Sequence, residues 1–455
     1  MSTVADRPGL GSAQASGLPP VRTHFRWVIV AMLCAIACVM YIDRINLMVA
    51  ITSMKQEFAF SEEVRGSILS AFLFGYAFGL VPGGWLADRF GARRVLAAAG
   101  VSWSVLTVLT ASIRPEMGGA WLAATDILFL VRFLLGVCEA CAWPAFGRAM
   151  AQWMRRSERA LASGLIHSGS GTGGAVASIV VAWIIPYLGW REAFVLSALV
   201  TFLVTLWWIW QSADDPARHR RVSQAELALI AAEKEEMKPE PLDFDWLKRL
   251  AVARNAYLLC LSQFFFGLGG FLFITWFYTY FTEVRRAGEV YSGLLSSCNY
   301  LALIIAAPLG GLVCDRCVRR WGSRWGRRAV PLTSLSLSGV CTIIAPTIPN
   351  HTASAVVFAL SCGFLYAAGP AFWSVLIDIT RRGTGLLGGL MNGAGSLGFA
   401  LATRYFPCLF PIFGYDRSIQ CAGLMAIVSA LIWLALDASR QIDAVAGAGP
   451  NRKEP

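Results

Sequence analysis

The sequence predicts an all-α membrane protein with twelve transmembrane helices in two pseudo-symmetric six-helix bundles. Three observations carry that reading. Of the 455 residues, 56% are hydrophobic and 15% charged, whereas soluble domains run near ~25% charged and ~45–50% apolar. The apolar residues collect into about twelve runs, each near the ~20 residues that cross a ~30 Å hydrocarbon core. A polar stretch divides these runs six and six, and one loop sequence recurs at matching places in the two halves.

Residues 1–25 are rich in Pro, Gly and Ser and lack the apolar segment of a signal peptide, so they are expected to form a disordered cytoplasmic tail. The first bundle, 26–210, holds spans near 26–50, 65–87, 92–112, 122–149, 159–186 and 191–210. Residues 211–254 form a cytoplasmic linker. Within it, 223-SQAELALIAAEKEEM-237 has apolar positions at helical spacing, and Ser223 and Glu226 form a capping box. That segment is expected to lie as a surface helix against the membrane. The second bundle, 255–437, holds spans near 255–283, 290–314, 328–348, 352–380, 382–408 and 414–437, and 438–455 is a second cytoplasmic tail.

The net charge of +11 would suggest nucleic acid in a soluble chain. Here arginines gather in alternate loops, as with Arg89, Arg93 and Arg94, then Arg155, Arg156 and Arg159, then Arg316 through Arg328. Positive loops face the cytoplasm, so both termini are placed there, as an even number of crossings requires. Most of the twelve cysteines lie inside apolar runs as small hydrophobes. Cys314 and Cys317 make a lone C-x-x-C without a second pair or a His partner, so no metal site is expected. Gly169, Gly171 and Gly174 spell G-x-G-x-x-G, but no strand precedes them, which excludes a dinucleotide site.

Four ionisable residues stand inside apolar runs. In the fourth span Arg132 and Glu139 are two helical turns apart, about 10 Å on one face. Gly136 between them leaves room for a partner helix, and Pro144 frees a backbone carbonyl. In the first span Asp43 and Arg44 are adjacent and point about 100° apart, so each needs a partner on another helix, for which Arg132 and Glu139 are the obvious supply. A charge at the bilayer centre costs at least ~2.5–3.5 kcal/mol. Two explanations fit: an ion cluster locking helices together, or a path for protons and substrate. A carboxylate can carry a proton across the membrane. Arginine keeps its charge, and its planar fork suits a carboxylate. The favoured reading is proton-coupled transport of an anion.

After the second span stands 83-GGWLADRFGARRVL-96, and after the eighth 310-GGLVCDRCVRRWGSRWGRRAVPL-332. Paired repeats of this kind mark transporters built from two bundles. The first loop resembles the signature loop of the major facilitator superfamily, and the second repeats it with an insertion. The resemblance implies a cytoplasmic gate. Asp88 would cap or pair across it, and Arg89, Arg93 and Arg94 would hold the bundles closed. Gly84 and Gly91 belong to the same frame, with Asp315 and Arg316 in the repeat. Asp378 reads as a further gate partner or a cap.

The intramembrane residues resemble one branch of that superfamily, the anion:cation symporters, which includes bacterial sugar-acid and phthalate carriers and animal sialin. The matching residues are Tyr41, Asp43 and Arg44 in span one and Arg132, Gly136, Glu139 and Pro144 in span four. Tyr76 in span two, Ser170 in span five, Trp276 in span seven and Asn392 in span eleven fit less strictly, and Tyr278 stands where the branch often has proline. Trp276 and Trp373 are candidates for the pocket wall or for interfacial anchors. The resemblance implies import of a small organic anion with protons by rocker-switch alternating access. Arg44 would bind the carboxylate, Asp43 and Glu139 would carry protons, and Arg132 would position or screen Glu139. A monomer in the cell inner membrane without cofactor is expected. The alternative is a drug/proton antiporter of the same fold, although 169-GSGTGGA-175 lacks the proline usual there. An enzyme is disfavoured because neither H-E-x-x-H nor G-x-S-x-G occurs. His167 reads as a packed, hydrogen-bonded histidine and His351 as a solvated one.

Overall fold

The computed structural model describes residues 23–117, 123–232, 244–273, 277, 280–380 and 383–442. Its secondary structure there is helical throughout. Among these residues nine helical stretches are long and apolar enough to cross a membrane. One of them, Ser297–Thr347, is 51 residues long. At ~1.5 Å per residue that is more than twice a ~30 Å core, so it makes two crossings. Two further helices, Arg159–Leu188 and Arg254–Phe271, lie at the fifth and seventh positions. The twelve crossings are thereby accounted for.

Some elements differ from the sequence reading. The stretch after the eighth span, read as a loop, is helical from Glu289 to Ile344 and breaks at Gly322, whose φ of 73° only glycine adopts easily. The fourth span is interrupted at Cys141, between helices Ala124–Ala140 and Ala142–Trp153. Pro144 has no N–H to offer the carbonyl of Ala140, so the turn loosens there. The seventh span runs from Arg254–Phe271 towards a π-helical turn, Tyr280–Val284. The linker holds a second helix, Phe244–Val252, beside Gln224–Ala232. Its Trp246 is buried beneath Gly383 at the start of span eleven.

The capping box forms only in part. Ser223 Oγ accepts from the Glu226 N–H at 3.2 Å, but the Glu226 carboxylate turns away from its own helix. It accepts instead from Thr23 Oγ1 at 2.5 Å and from the N–H groups of Phe25 and Arg26 at 3.0 Å. Segments 200 residues apart are thus joined by one carboxylate, because the first span, Phe25–Phe58, begins with free N–H groups and no side-chain cap of its own. Burial opposes the charge of Glu226, yet these donors together with the Arg26 guanidinium outweigh it and hold the carboxyl below its usual range. Arg26 also pairs with Glu158, at 2.9 Å, tying the start of span one to the turn before span five.

Packing follows the repeat. Span one packs on five and six, two on four, and three on six. In the second half, seven packs on eleven and twelve, Gly310 of span eight meets Ala367 of ten, and Gly339 of nine meets Gly423 of twelve. Within a bilayer helices gain little from burying apolar surface against one another, so close approach of backbones is the main attraction. Gly136 shows the requirement: a Cβ there would lie 2.2 Å from the carbonyl oxygen of Phe72 on span two. The halves meet where span two lies on eleven and span five on eight.

Candidate functional site

Span one projects its two charges towards different neighbours, as consecutive helical positions must. Arg44 reaches span four, where its Nε lies 2.5 Å from Glu139 Oε1. Its guanidinium also sits against the rings of Tyr41, Phe72 and Tyr76, at 5.1, 5.1 and 4.7 Å from their centroids. These faces are negatively polarised and hold the cation where water is scarce. Glu139 is almost wholly buried, while the Arg44 side chain keeps 21% of its surface exposed. The pair therefore borders a space from the arginine side.

Asp43 turns towards span six. Thr201 Oγ1 donates to its Oδ2 at 3.4 Å, and its Oδ1 is buried without a hydrogen-bond partner. Arg132 is 1% exposed, and its Nε and Nη1 are likewise buried without partners. Its nearest aromatic neighbour is Phe72, at 5.9 Å from the ring centroid. The expectation that Arg132 positions Glu139 or screens it finds no bond between the two, since Arg44 occupies Glu139, although the charge of Arg132 still acts on that carboxylate. The chemistry of the set is clear. Two guanidiniums face two carboxylates, one pair is bonded, and donors of the second arginine are unused. The charges of both carboxylates act on Arg132, but its buried Nε and Nη1 bond neither, so these donors are open to an acceptor oxygen.

The surrounding candidates divide into two groups. Tyr76 joins the cluster and crosses to the second half, its hydroxyl accepting from Asn392 Nδ2 at 3.1 Å. Trp373 stacks on Trp143 at 5.8 Å between centroids, with Gly147 and Gly388 pressed against its ring. It is buried between the halves on the side of the repeated loops. Ser170 is buried with its hydroxyl returned to the carbonyl of Ile166 in its own helix, at 3.4 Å. His167 bonds Ser163 O through Nδ1 at 2.8 Å and lies 4.6 Å from Trp143. Trp276 lies outside the described residues.

At the repeated loops the two aspartates act alike. Asp88 accepts from the N–H groups of Gly385 and Leu386 at 2.9 and 2.8 Å, capping span eleven across the halves. Asp315 accepts from those of Ala160 and Leu161 at 3.3 and 2.9 Å, capping span five. Gly84 makes the first contact possible, because a Cβ there would lie 2.2 Å from the Gly385 oxygen. Gly91 ends span two at a φ of 86°.

The arginines of the loop are arranged otherwise than the resemblance implies. Arg89 lies over Trp85 and Phe90 of its own helix. Arg93 donates from its N–H to Asp214 and from Nη2 to Ile209 O, both at 2.8 Å and both in its own half. Arg94 and Arg316 are exposed. The cations that pair across the halves are instead Arg156 and Arg159, joined by Arg327 of the second half, whose Nη2 donates to Arg156 O at 2.8 Å; the sequence reading took all three for orientation charge. All three converge on Asp378, at 3.5, 2.7 and 2.9 Å, and Arg327 also meets Asp315 at 2.8 Å. The signal in the sequence was Asp378 itself, an acid closing an apolar helix.

A family model described as Major Facilitator Superfamily matches residues 33–321. A probable sulfoacetate transporter of Cupriavidus necator is 31% identical over 430 residues, which is 93% of this chain and 96% of the relative. A probable galactarate/D-glucarate transporter of Bacillus subtilis is 30% identical, covering 91% of this chain and 92% of its own. Among solved structures, a proton:xylose symporter superposes with a TM-score of 0.69 at 15% identity, over 92% of this chain and 99% of its own.

Proposed function

The chain belongs to the major facilitator superfamily and is a multi-pass membrane transporter, and from that premise we propose that it imports a small organic anion by proton symport. The carrying observation is the buried set of two arginines and two carboxylates, of which only Arg44 and Glu139 are bonded to each other. Similarity to relatives named for sulfoacetate and for galactarate and glucarate supports an anionic substrate. Arg44 and Arg132 bind the acid group. Tyr41, Tyr76 and Asn392 line the pocket and Trp373 closes it from one side, with Ser170 and Trp276 as further lining candidates. Asp43 and Glu139 carry the protons.

The cycle follows from the exchange of partners. Substrate carboxylate and Glu139 compete for Arg44. Protonation of Glu139 weakens the charge-assisted bond and releases the guanidinium to the anion. Deprotonation on the other side restores the pair and expels the substrate. The Asp88, Asp315 and Asp378 contacts form the gate on the arginine-rich face. With that face and both termini in the cytoplasm of a cell whose inner membrane holds the carrier, the conformation is closed inward.

The test is a thermal-shift screen of purified protein against sulfoacetate, aldarates and aromatic acids, since a ligand that prefers the folded state raises its melting temperature. Hits are then followed by uptake into proteoliposomes driven by a pH gradient alone. A stabilising acid that accumulates in response to the gradient supports the reading. Stabilisation without proton-driven accumulation overturns the symport, and efflux of lipophilic cations in place of acid uptake favours drug/proton exchange.

A further inference from the structure

At the arginine-rich face, away from the substrate cluster, a cleft of about 420 Å³ opens between the starts of spans seven and nine, the end of span twelve and the short helix Phe244–Val252. Ligand sites in proteins run from about 300 to 1,000 Å³, so the cleft is large enough for a headgroup. Five arginines line it, Arg249, Arg254, Arg324, Arg328 and Arg440, against one acid, Asp437. Orientation charge explains why arginines occur on this face. It does not explain why residues from four separate elements converge on one cavity. Asp437 is shared at 3.5 Å by Arg324 and Arg440, whose side chains remain 55% and 81% exposed. One carboxylate cannot neutralise five guanidiniums. The cleft also receives the start of span seven, whose first N–H groups have no side-chain cap and add partial positive charge.

The rim is apolar. Trp325 is 57% exposed and lies beneath the guanidiniums of Arg324 and Arg328, at 5.7 and 5.1 Å from its ring centroid. Leu434, at the end of span twelve, and Val252 are also exposed. An exposed tryptophan beside arginines at the end of a membrane span marks the water–lipid boundary. A soluble anion would need the arginines alone. The combination with an apolar rim fits a molecule having a phosphate and acyl chains.

We propose that this cleft binds the phosphodiester headgroup of an anionic phospholipid, with the arginines on the phosphate and the acyl chains along Trp325 and Leu434. The inference needs only that the chain spans a membrane and is independent of the substrate assigned above. Juxtamembrane basic clusters hold anionic lipid in this way.

The experiment uses full-length protein in detergent. Melting temperature and lipids retained in native mass spectra are measured with added phosphatidylglycerol, phosphatidylcholine or inorganic phosphate. The exposed pair is removed in Arg254→Gln/Arg440→Gln, and a control of equal charge loss, Arg218→Gln/Arg220→Gln, alters the linker outside the cleft. The expected result is stabilisation and retention with phosphatidylglycerol only, weakened roughly fivefold per cleft arginine removed and unchanged in the control. Equal weakening in both variants would show diffuse surface attraction and overturn the site. Equal stabilisation by inorganic phosphate would overturn the lipid assignment, and so would an absence of any phosphatidylglycerol effect. If the double variant melts early without lipid, Arg440→Gln alone, at a side chain that is 81% exposed, gives the same reading.

Discussion

Arg44 is the residue on which the proposed chemistry turns, and its identity can be tested without removing its charge. Arg44→Lys keeps a cation at the same depth but loses the planar fork that can face Glu139 and a substrate carboxylate. Substrate affinity is expected to fall at least tenfold, read as a lost ligand-induced melting shift, while the ligand-free melting temperature changes little. Undiminished binding in the lysine variant would show that only the charge matters. Glu139→Gln removes the proton but keeps shape and hydrogen-bonding capacity. That variant is expected to fold, bind and exchange substrate in counterflow, yet fail to accumulate it on a pH gradient. If Glu139 is only half of a structural pair, the variant should instead melt early, because a buried arginine left uncompensated costs roughly 3–5 kcal/mol. At this scale the sequence picked out the ionisable residues that the fold buries together. A charge inside an apolar run is conspicuous in any reading. The sequence offered Arg132 and Glu139 as partners for Asp43 and Arg44 but could not say which would bond: Arg44 meets Glu139, while Asp43 and Arg132 keep atoms without a partner. Only the three-dimensional crossing of two helices decides that.

The elements divide the same way. Hydropathy marks a span because lipid demands about twenty apolar residues in succession, and the spans were legible. The short polar helices were not, because nothing in Phe244–Val252 distinguishes it from linker until Trp246 is seen buried under Gly383. Glu226 gives the clearest case. Its spacing from Ser223 predicted a cap on its own helix, but the carboxylate caps span one. Local motif and distant N–H groups compete for one acceptor, and the sequence lists only the local claim. Glu226→Gln is expected to cost about 1.5–3 kcal/mol at neutral pH, the range for hydrogen bonds to a charged group. The sign of its pH dependence follows from the depressed carboxyl of Glu226. Its contribution is complete above the unfolded value near ~4.3 and is lost as pH falls through the lower folded value. The melting-temperature gap between wild type and Glu226→Gln should therefore be constant above about pH 5 and shrink below it. A gap that persists in acid would mean that the interaction is one of packing, not charge.

For the whole molecule the question is what holds one conformation against the other. Asp378 is the only carboxylate that meets Arg156, Arg159 and Arg327 together among the described residues, and it joins span ten to the turn before span five. In the closed arrangement these three cations are brought close to one another, and the acid offsets their repulsion. Once the halves part at this face, Arg156 and Arg159 reach water and need no partner, while Arg327 keeps Asp315 in its own half. Asp378→Asn thus penalises the closed state and leaves the open one nearly unchanged. Removing one member of a buried ion cluster costs roughly 3–5 kcal/mol, and each 1.4 kcal/mol or so is a tenfold change in an equilibrium, so the balance should move by more than a hundredfold towards the state open at this face. Hydrogen–deuterium exchange measures it directly. The N–H groups of Ala160, Leu161, Gly385 and Leu386 are protected by Asp315 and Asp88 only while the halves are together. In Asp378→Asn their exchange should accelerate, and that of the helix interiors within each half should not. Faster exchange throughout the protein would indicate unfolding in place of opening, and unchanged exchange at these four amides would show that Asp378 does not hold the gate. The two capping aspartates make the prediction specific, because each reports separately on one of the two helix pairs that join the halves, span two on eleven and span five on eight.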